Sequence, residues 1–266
     1  MSVQRLCNVG QRLHLGSYEN SDRLNPHAYP GKHMNDHLKM RLTWQKRFKR
    51  TVFSMLISRL FLTSKKARVT RLSAEFVFKI NSDYPGAQLF HSREKLWKSF
   101  GKQLGTKQWV GFEFGVASGD ATKVFLKMPY IKNCLKWNGF DTFFGLPSAW
   151  GDLSEGAFST NGVPPQIVND LVQWHIGRIE QTCENIKSLS DLDKNFVIIF
   201  DFDLYSATKA AWDAISDYLK PGDIIYFDEA YEADEEQIIN EIEESQRFSL
   251  GLIGYTTMGI AYEVKS

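Results

Sequence analysis

Two apolar runs, each closed by carboxylates and separated by one helical stretch, restrict this chain to a parallel sheet covered by helices. Phe196 to Phe200 runs into Asp201, Phe202 and Asp203, and Ile224 to Phe227 runs into Asp228 and Glu229. Both runs read as short strands buried on both faces. Between them Ala207, Ala210, Ala211, Ala214, Ile215 and Leu219 recur at helical spacing from Ser206 to Lys220, and Pro221-Gly222 ends the pattern. Strand, helix, strand makes a parallel pair, so both acidic clusters lie at the carboxyl edge of the sheet, where open α/β sheets bind ligands. Carboxylates gathered there repel one another unless a cation stands between them.

The same alternation extends in both directions. His91–Leu104 is expected to be a helix, Trp109–Phe114 a strand, Gly115–Gly119 a tight turn and Asp120–Lys127 a helix. Leu135–Phe140 and Leu171–Ile176 follow as strands, with a helix over Ile179–Leu189. A helix over Glu232–Gln246 precedes two β-rich runs, Gly251–Thr257 and Ile260–Val264, which read as a closing hairpin with one antiparallel edge strand. The expected fold is α/β: a doubly wound, Rossmann-like, mostly parallel sheet of seven strands.

The 266 residues carry a net charge of only +1, and this conceals an asymmetry. Residues 1–110 hold 21 Lys and Arg against 6 Asp and Glu, and residues 111–266 hold 11 against 25. Such a division suggests two physically distinct parts: a basic, partly irregular extension over 1–90 and a catalytic domain over 91–266. Within 38–72 there are eleven basic residues and no acid, around an amphipathic helix expected at Val52–Leu62. That run is too short, and too interrupted by Arg59, to span a bilayer. It suits a lid, an oligomer interface or peripheral contact with an anionic membrane. No motif points to nucleic acid. Cys7, Cys134 and Cys183, without metal-type spacing, read as free thiols in a cytoplasmic, reducing compartment.

Glu113-Phe114-Gly115-Val116-Ala117-Ser118-Gly119 occupies the first strand-to-helix turn. It departs from the dinucleotide fingerprint, because residue 117 is Ala where G-x-G-x-x-G needs Gly, which argues against an oxidoreductase. Its acidic-x-Gly-x-x-x-Gly spacing resembles motif I of class I S-adenosylmethionine (SAM) methyltransferases. Asp141, at the end of the next strand, stands where a ribose diol would lie and has two oxygens to accept both hydroxyls.

Five ordered segments extend the likeness. Gly139–Trp150, Gly156–Phe158, Gly177–Thr182, Asp201–Thr208 and Phe227–Ala230 resemble the macrocin and mycinamicin sugar O-methyltransferases. Phe144, Phe200, Ala207 and Ala230 depart from the family's usual Glu, His, Ser and Tyr, and residues 1–90 lie outside the match. The resemblance implies a SAM site at Glu113, Gly115, Ala117, Ser118, Gly119, Asp141, Thr142, Phe143, Gly177 and Ile179. It also implies a magnesium ion on Asp201, Asp228 and Glu229, hard oxygen donors of the kind that ion takes. The expected reaction is methyl transfer from SAM to a hydroxyl of a glycosyl or similar diol-bearing acceptor. Asp201 and Asp203 are the candidate bases, and His175 is a weaker one. Phe143, Trp150, Trp174 and Tyr205 are candidates for stacking on adenine or lining a sugar pocket, though core packing suits each better. A non-catalytic SAM-binding or scaffold protein on the same fold is the alternative.

Overall fold

A computed structural model describes residues 64–190 and 194–266. Seven strands form one sheet: β1 (Trp109–Phe114), β2 (Cys134–Asp141), β3 (Val172–Ile176), β4 (Asn195–Phe200), β5 (Ile224–Phe227), β6 (Leu250–Tyr255) and β7 (Ile260–Val264). Their order is β3-β2-β1-β4-β5-β7-β6. The first five run parallel, and β7 runs antiparallel to both β5 and β6. The doubly wound sheet is therefore as expected, with one difference at its end. The antiparallel strand is not the edge but sits one place inside it. Ile260–Val264 is buried along most of its length, whereas β6 is half-buried over its first four residues, and the better apolar run takes the inner position.

Helices cover both faces. On one face α2 (Arg93–Leu104) and α3 (Asp120–Phe125) pack Leu96, Trp97, Phe100 and Phe125 against Trp109, Trp137 and Tyr226. On the other lie α1 (Lys65–Asp83), α4 (Ile179–Thr182), α5 (Glu184–Ser190), α6 (Tyr205–Ile215) and α7 (Ala233–Ser245). The helix expected over 206–220 gives way to a 3-10 turn at Ser216–Tyr218. Just beyond it, buried Asp223 accepts from Lys220 N at 2.8 Å, Phe196 N at 2.8 Å and Asn195 Nδ2 at 3.0 Å, which ties the helix exit to the start of β4.

Helix α1 crosses into the region assigned to the extension, yet it packs on the helical face of the sheet. Its N-cap is Ser64, whose Oγ accepts from Ala67 N at 3.2 Å. Phe76 and Ile80 are buried, Arg68 pairs with Glu232 through two hydrogen bonds of 2.8 and 3.2 Å, and Lys79 pairs with Glu236. Part of the charge asymmetry thus meets itself across one interface. Helix α1 and residues 91–266 belong to one compact unit. The helix expected at 52–62 lies outside the described residues, as does most of the basic stretch. Among the described residues, no helix is long and apolar enough to cross a membrane.

Strand register builds a row of rings across the sheet. His175 pairs with Phe140, Phe140 with Phe114, Phe114 with Phe200, and Phe200 with Phe227. Their ring centroids are 4.3, 5.1, 5.2 and 5.0 Å apart in that order, close to the spacing of neighbouring strands. Phe200 thus has an interior packing role. Phe200→Ala should cost about 3–5 kcal/mol of stability, as for other buried aromatic truncations, and denaturant unfolding checks this.

Candidate active site

The residues that follow this row form the next row at the carboxyl edge: Asp141, Gly115, Asp201 and Asp228. The strand ladders continue into it, with Gly115 N donating to Phe140 O, Asp201 N to Phe114 O and Asp228 N to Phe200 O, at 2.8 to 3.0 Å. Gly115 has φ +92°, and a Cβ there would lie 1.9 Å from the carbonyl oxygen of Asp201. Only glycine allows that approach, so the turn and the acids share one piece of backbone. Ala117 also has positive φ, at 45°.

A cavity of about 650 Å³ opens above this row, a volume typical of small-molecule sites. Glu113, Gly115, Ala117, Ser118, Asp141, Thr142, Gly177 and Ile179 line it, together with Asp201, Asp203, Asp228 and Glu229. The expected cofactor-site and acid residues are therefore brought together, with two exceptions. Gly119 lies beneath Pro165, which a Cβ would meet at 2.8 Å. Phe143 is buried and turns edge-on to Trp174, with ring centroids 6.2 Å apart.

Asp141 is already engaged. Its Oδ2 accepts from Val116 N and Ala117 N, each at 2.8 Å, and its Oδ1 accepts from Phe143 N at 2.7 Å. It braces the glycine turn, and two donors on Oδ2 leave Oδ1 as the oxygen with spare capacity for a ribose hydroxyl. The bidentate ribose contact expected from the sequence is narrowed accordingly. Glu113 is buried behind the turn. Its Oε2 accepts from Thr122 Oγ1 and, at 2.7 Å, from Trp137 Nε1, while its Oε1 has no hydrogen-bond partner among the described residues. Burial pushes its carboxyl up to about 7.

The acids at the ends of β4 and β5 differ in how their charge is compensated. Asp228 is 7 % exposed at its side chain and accepts from Tyr226 Oη at Oδ1 and from Arg93 Nη1 at Oδ2, each at 2.6 Å. Arg93 Nη1 also lies 3.9 Å from Asp201 Oδ2, and the Asp201 side chain is 28 % exposed. Burial, then the charges of Asp228 and Asp203, hold the Asp201 carboxyl well above the usual range. Asp203 and Glu229 share a hydrogen bond, and burial followed by that neighbour raises Asp203. Both residues adopt positive φ, at 64° and 47°.

The three expected magnesium ligands, as arranged, do not fit that ion. The position between Asp201 and Asp228 is taken by the Arg93 guanidinium, which a metal cation would have to displace, although Glu229 Oε2 is buried with no hydrogen-bond partner among the described residues. Among the described residues, no group of three or more His, Cys, Asp or Glu is disposed to hold a metal.

His175 is a packed residue. It stacks on Phe140, its Nε2 lies 3.3 Å from Asn138 Oδ1, and burial pushes it down to about 4. Trp150 Nε1 donates to Asp234 and Tyr205 Oη to Glu241, and neither ring lines the cavity. Residues that the sequence does not single out do line it, namely His91, Ser92, Arg93 and the hairpin turn Thr256–Met258, beside Phe158 and Phe202 from the quoted segments. Arg93 meets its partner 135 residues away, and no local spacing signals that.

No family model and no curated protein matches the chain. Among solved structures, the calicheamicin methyltransferase CalS11 matches with a TM-score of 0.51 and 21% identity, over 75% of this chain and 93% of that one. The fold is that of a class I methyltransferase. CalS11 is described as a TDP-rhamnose 3'-O-methyltransferase of calicheamicin biosynthesis. Fainter likenesses are the O-methyltransferase NovP (TM-score 0.47, 13% identity, 65% and 80% covered) and MycE from the mycinamycin pathway in complex with Mg, SAH and mycinamycin VI (0.46, 12%, 74% and 54%).

Asp141→Asn replaces one acceptor oxygen under the turn by a donor. It should weaken binding of S-adenosylhomocysteine (SAH) roughly tenfold while the protein stays folded, as read by calorimetry beside a thermal melt.

Proposed function

We propose that this chain is a SAM-dependent O-methyltransferase whose acceptor is a hydroxyl of a sugar or similar diol-bearing molecule. The observation that carries the reading is the cavity in which the glycine turn and the strand-end acids meet. The glycine turn braced by Asp141 allows the close backbone approach a nucleoside needs. Glu113 Oε1, buried beside the cavity with no partner among the described residues, suits the ammonium at the amino-acid end of SAM. The glycosyl acceptor is supported by the five segments that resemble sugar O-methyltransferases.

SAM supplies an activated methyl group on a sulfonium, so the protein's tasks are positioning, exclusion of water and removal of one proton. Asp201 is the better placed base. It is more exposed to the cavity than Asp228 and lies beyond hydrogen-bond distance of Arg93, so its carboxylate is open to a hydroxyl proton. Asp203 is engaged with Glu229 and steadies the floor beside it. As the acceptor oxygen bonds to the methyl carbon, the carbon–sulfur bond breaks, the hydroxyl proton passes to an Asp201 oxygen, and a methyl ether and neutral SAH result. Magnesium dependence, implied by the resemblance, is opposed by the placement of Arg93, and no step is assigned to the ion.

The test is incubation with methyl-deuterated SAM and a panel of nucleotide-linked and small-molecule glycosides, read by mass spectrometry. A deuteromethyl group on an acceptor oxygen is expected. Absence of any SAM or SAH binding would sink the reading. Asp201→Asn should lower kcat by about 10²–10⁴, the usual worth of a general base, with SAH affinity retained.

A further inference from the structure

Arg93 belongs to a closed ring of contacts rather than to a loose surface pair. It opens α2, whose N-cap Ser92 accepts from Lys95 N at 3.3 Å. Its guanidinium carbon lies 5.3 Å from the ring centroid of Trp97, one helical turn along. Trp97 is 1% exposed and meets the Tyr226 ring edge-on, with centroids 5.5 Å apart. Tyr226 Oη donates to Asp228 Oδ1, and Asp228 Oδ2 accepts from Arg93. The other three side chains hold the guanidinium in place before any ligand arrives, which removes much of the entropy cost that makes exposed ion pairs weak.

A divalent ion on Asp228 and Asp201 would have to displace this guanidinium. The displaced Arg93 would lose Trp97 and its carboxylate together, and two like charges cannot share so small a cleft. We infer that Arg93 is the resident cation of the carboxylate cleft, doing there what a bound divalent ion would do, so that this protein holds no metal at Asp201, Asp228 and Glu229. The half-exposed guanidinium lines the cavity and offers N–H donors to an acceptor oxygen as its proton leaves. The assignment of the cation stands whether or not the chain transfers a methyl group, and its test uses the metal alone.

Manganese binding to the whole protein, followed by electron paramagnetic resonance, decides it. Wild type and Arg93→Lys should leave millimolar Mn²⁺ free. Arg93→Gln, which keeps the polar stem but not the charge, should bind Mn²⁺ roughly tenfold tighter or more, and adding Asp228→Asn should abolish the gain. Micromolar binding by wild type that Asp228→Asn removes would overturn the inference, since Arg93 would then yield to the ion. A folded Arg93→Gln that gains no Mn²⁺ affinity would overturn it as well, because the cleft would not be a cation site at all. Should Arg93→Gln fail to fold, the wild-type titration alone distinguishes a cleft closed to Mn²⁺ from one open to it.

Discussion

Parallel register is the constraint on which the site depends. Pairing Phe114 with Phe140 and Phe200, and Phe200 with Phe227, sets five neighbouring rings in a line from His175 to Phe227. A slip of one residue in any strand would break that line and turn its side chains to the other face. The residue after each phenylalanine then has no choice of place. Asp141, Gly115, Asp201 and Asp228 come side by side because the rings beneath them do. The aromatic row is hydrophobic packing in the core and, one residue later, a ruler for the chemistry.

Bringing the acids together costs free energy, and the molecule offsets it by separate means. Asp228 is neutralised by Arg93 and supported by Tyr226. Asp203 and Glu229 join in a hydrogen bond that one proton between them allows. Asp201, which Arg93 approaches only to 3.9 Å, keeps the smallest share of compensation and still faces the cavity, and burial beside Asp228 and Asp203 raises its carboxyl. Unequal compensation of like groups is how a set of similar carboxylates comes to hold different roles.

Much of this was legible in the sequence, for a physical reason. Strand–helix–strand alternation forces parallel strands, and parallel strands force the acids and the glycine turn to one edge. Local chemistry carries that inference without any knowledge of tertiary contacts. Arg93 and Thr256–Met258 were not legible, because each reaches the cavity through packing between distant segments. The second function of Asp141 was hidden for a similar reason, since its partners are backbone N–H groups, which every sequence has. The misplaced edge strand reflects burial along β7 that only the assembled sheet reveals.

The inner position of β7 sets an order on the making of this protein. All five parallel strands leave the ribosome before residues 260–264, which cover the outer side of β5. Until then Ile224–Phe227 presents open amide and carbonyl groups beside an apolar surface, the condition under which nascent chains pair with the wrong neighbour. The turn Thr256–Met258, one wall of the cavity, closes at the same late moment. A chain interrupted before β7 therefore possesses the glycine turn and the acids but neither a finished pocket nor a sealed sheet.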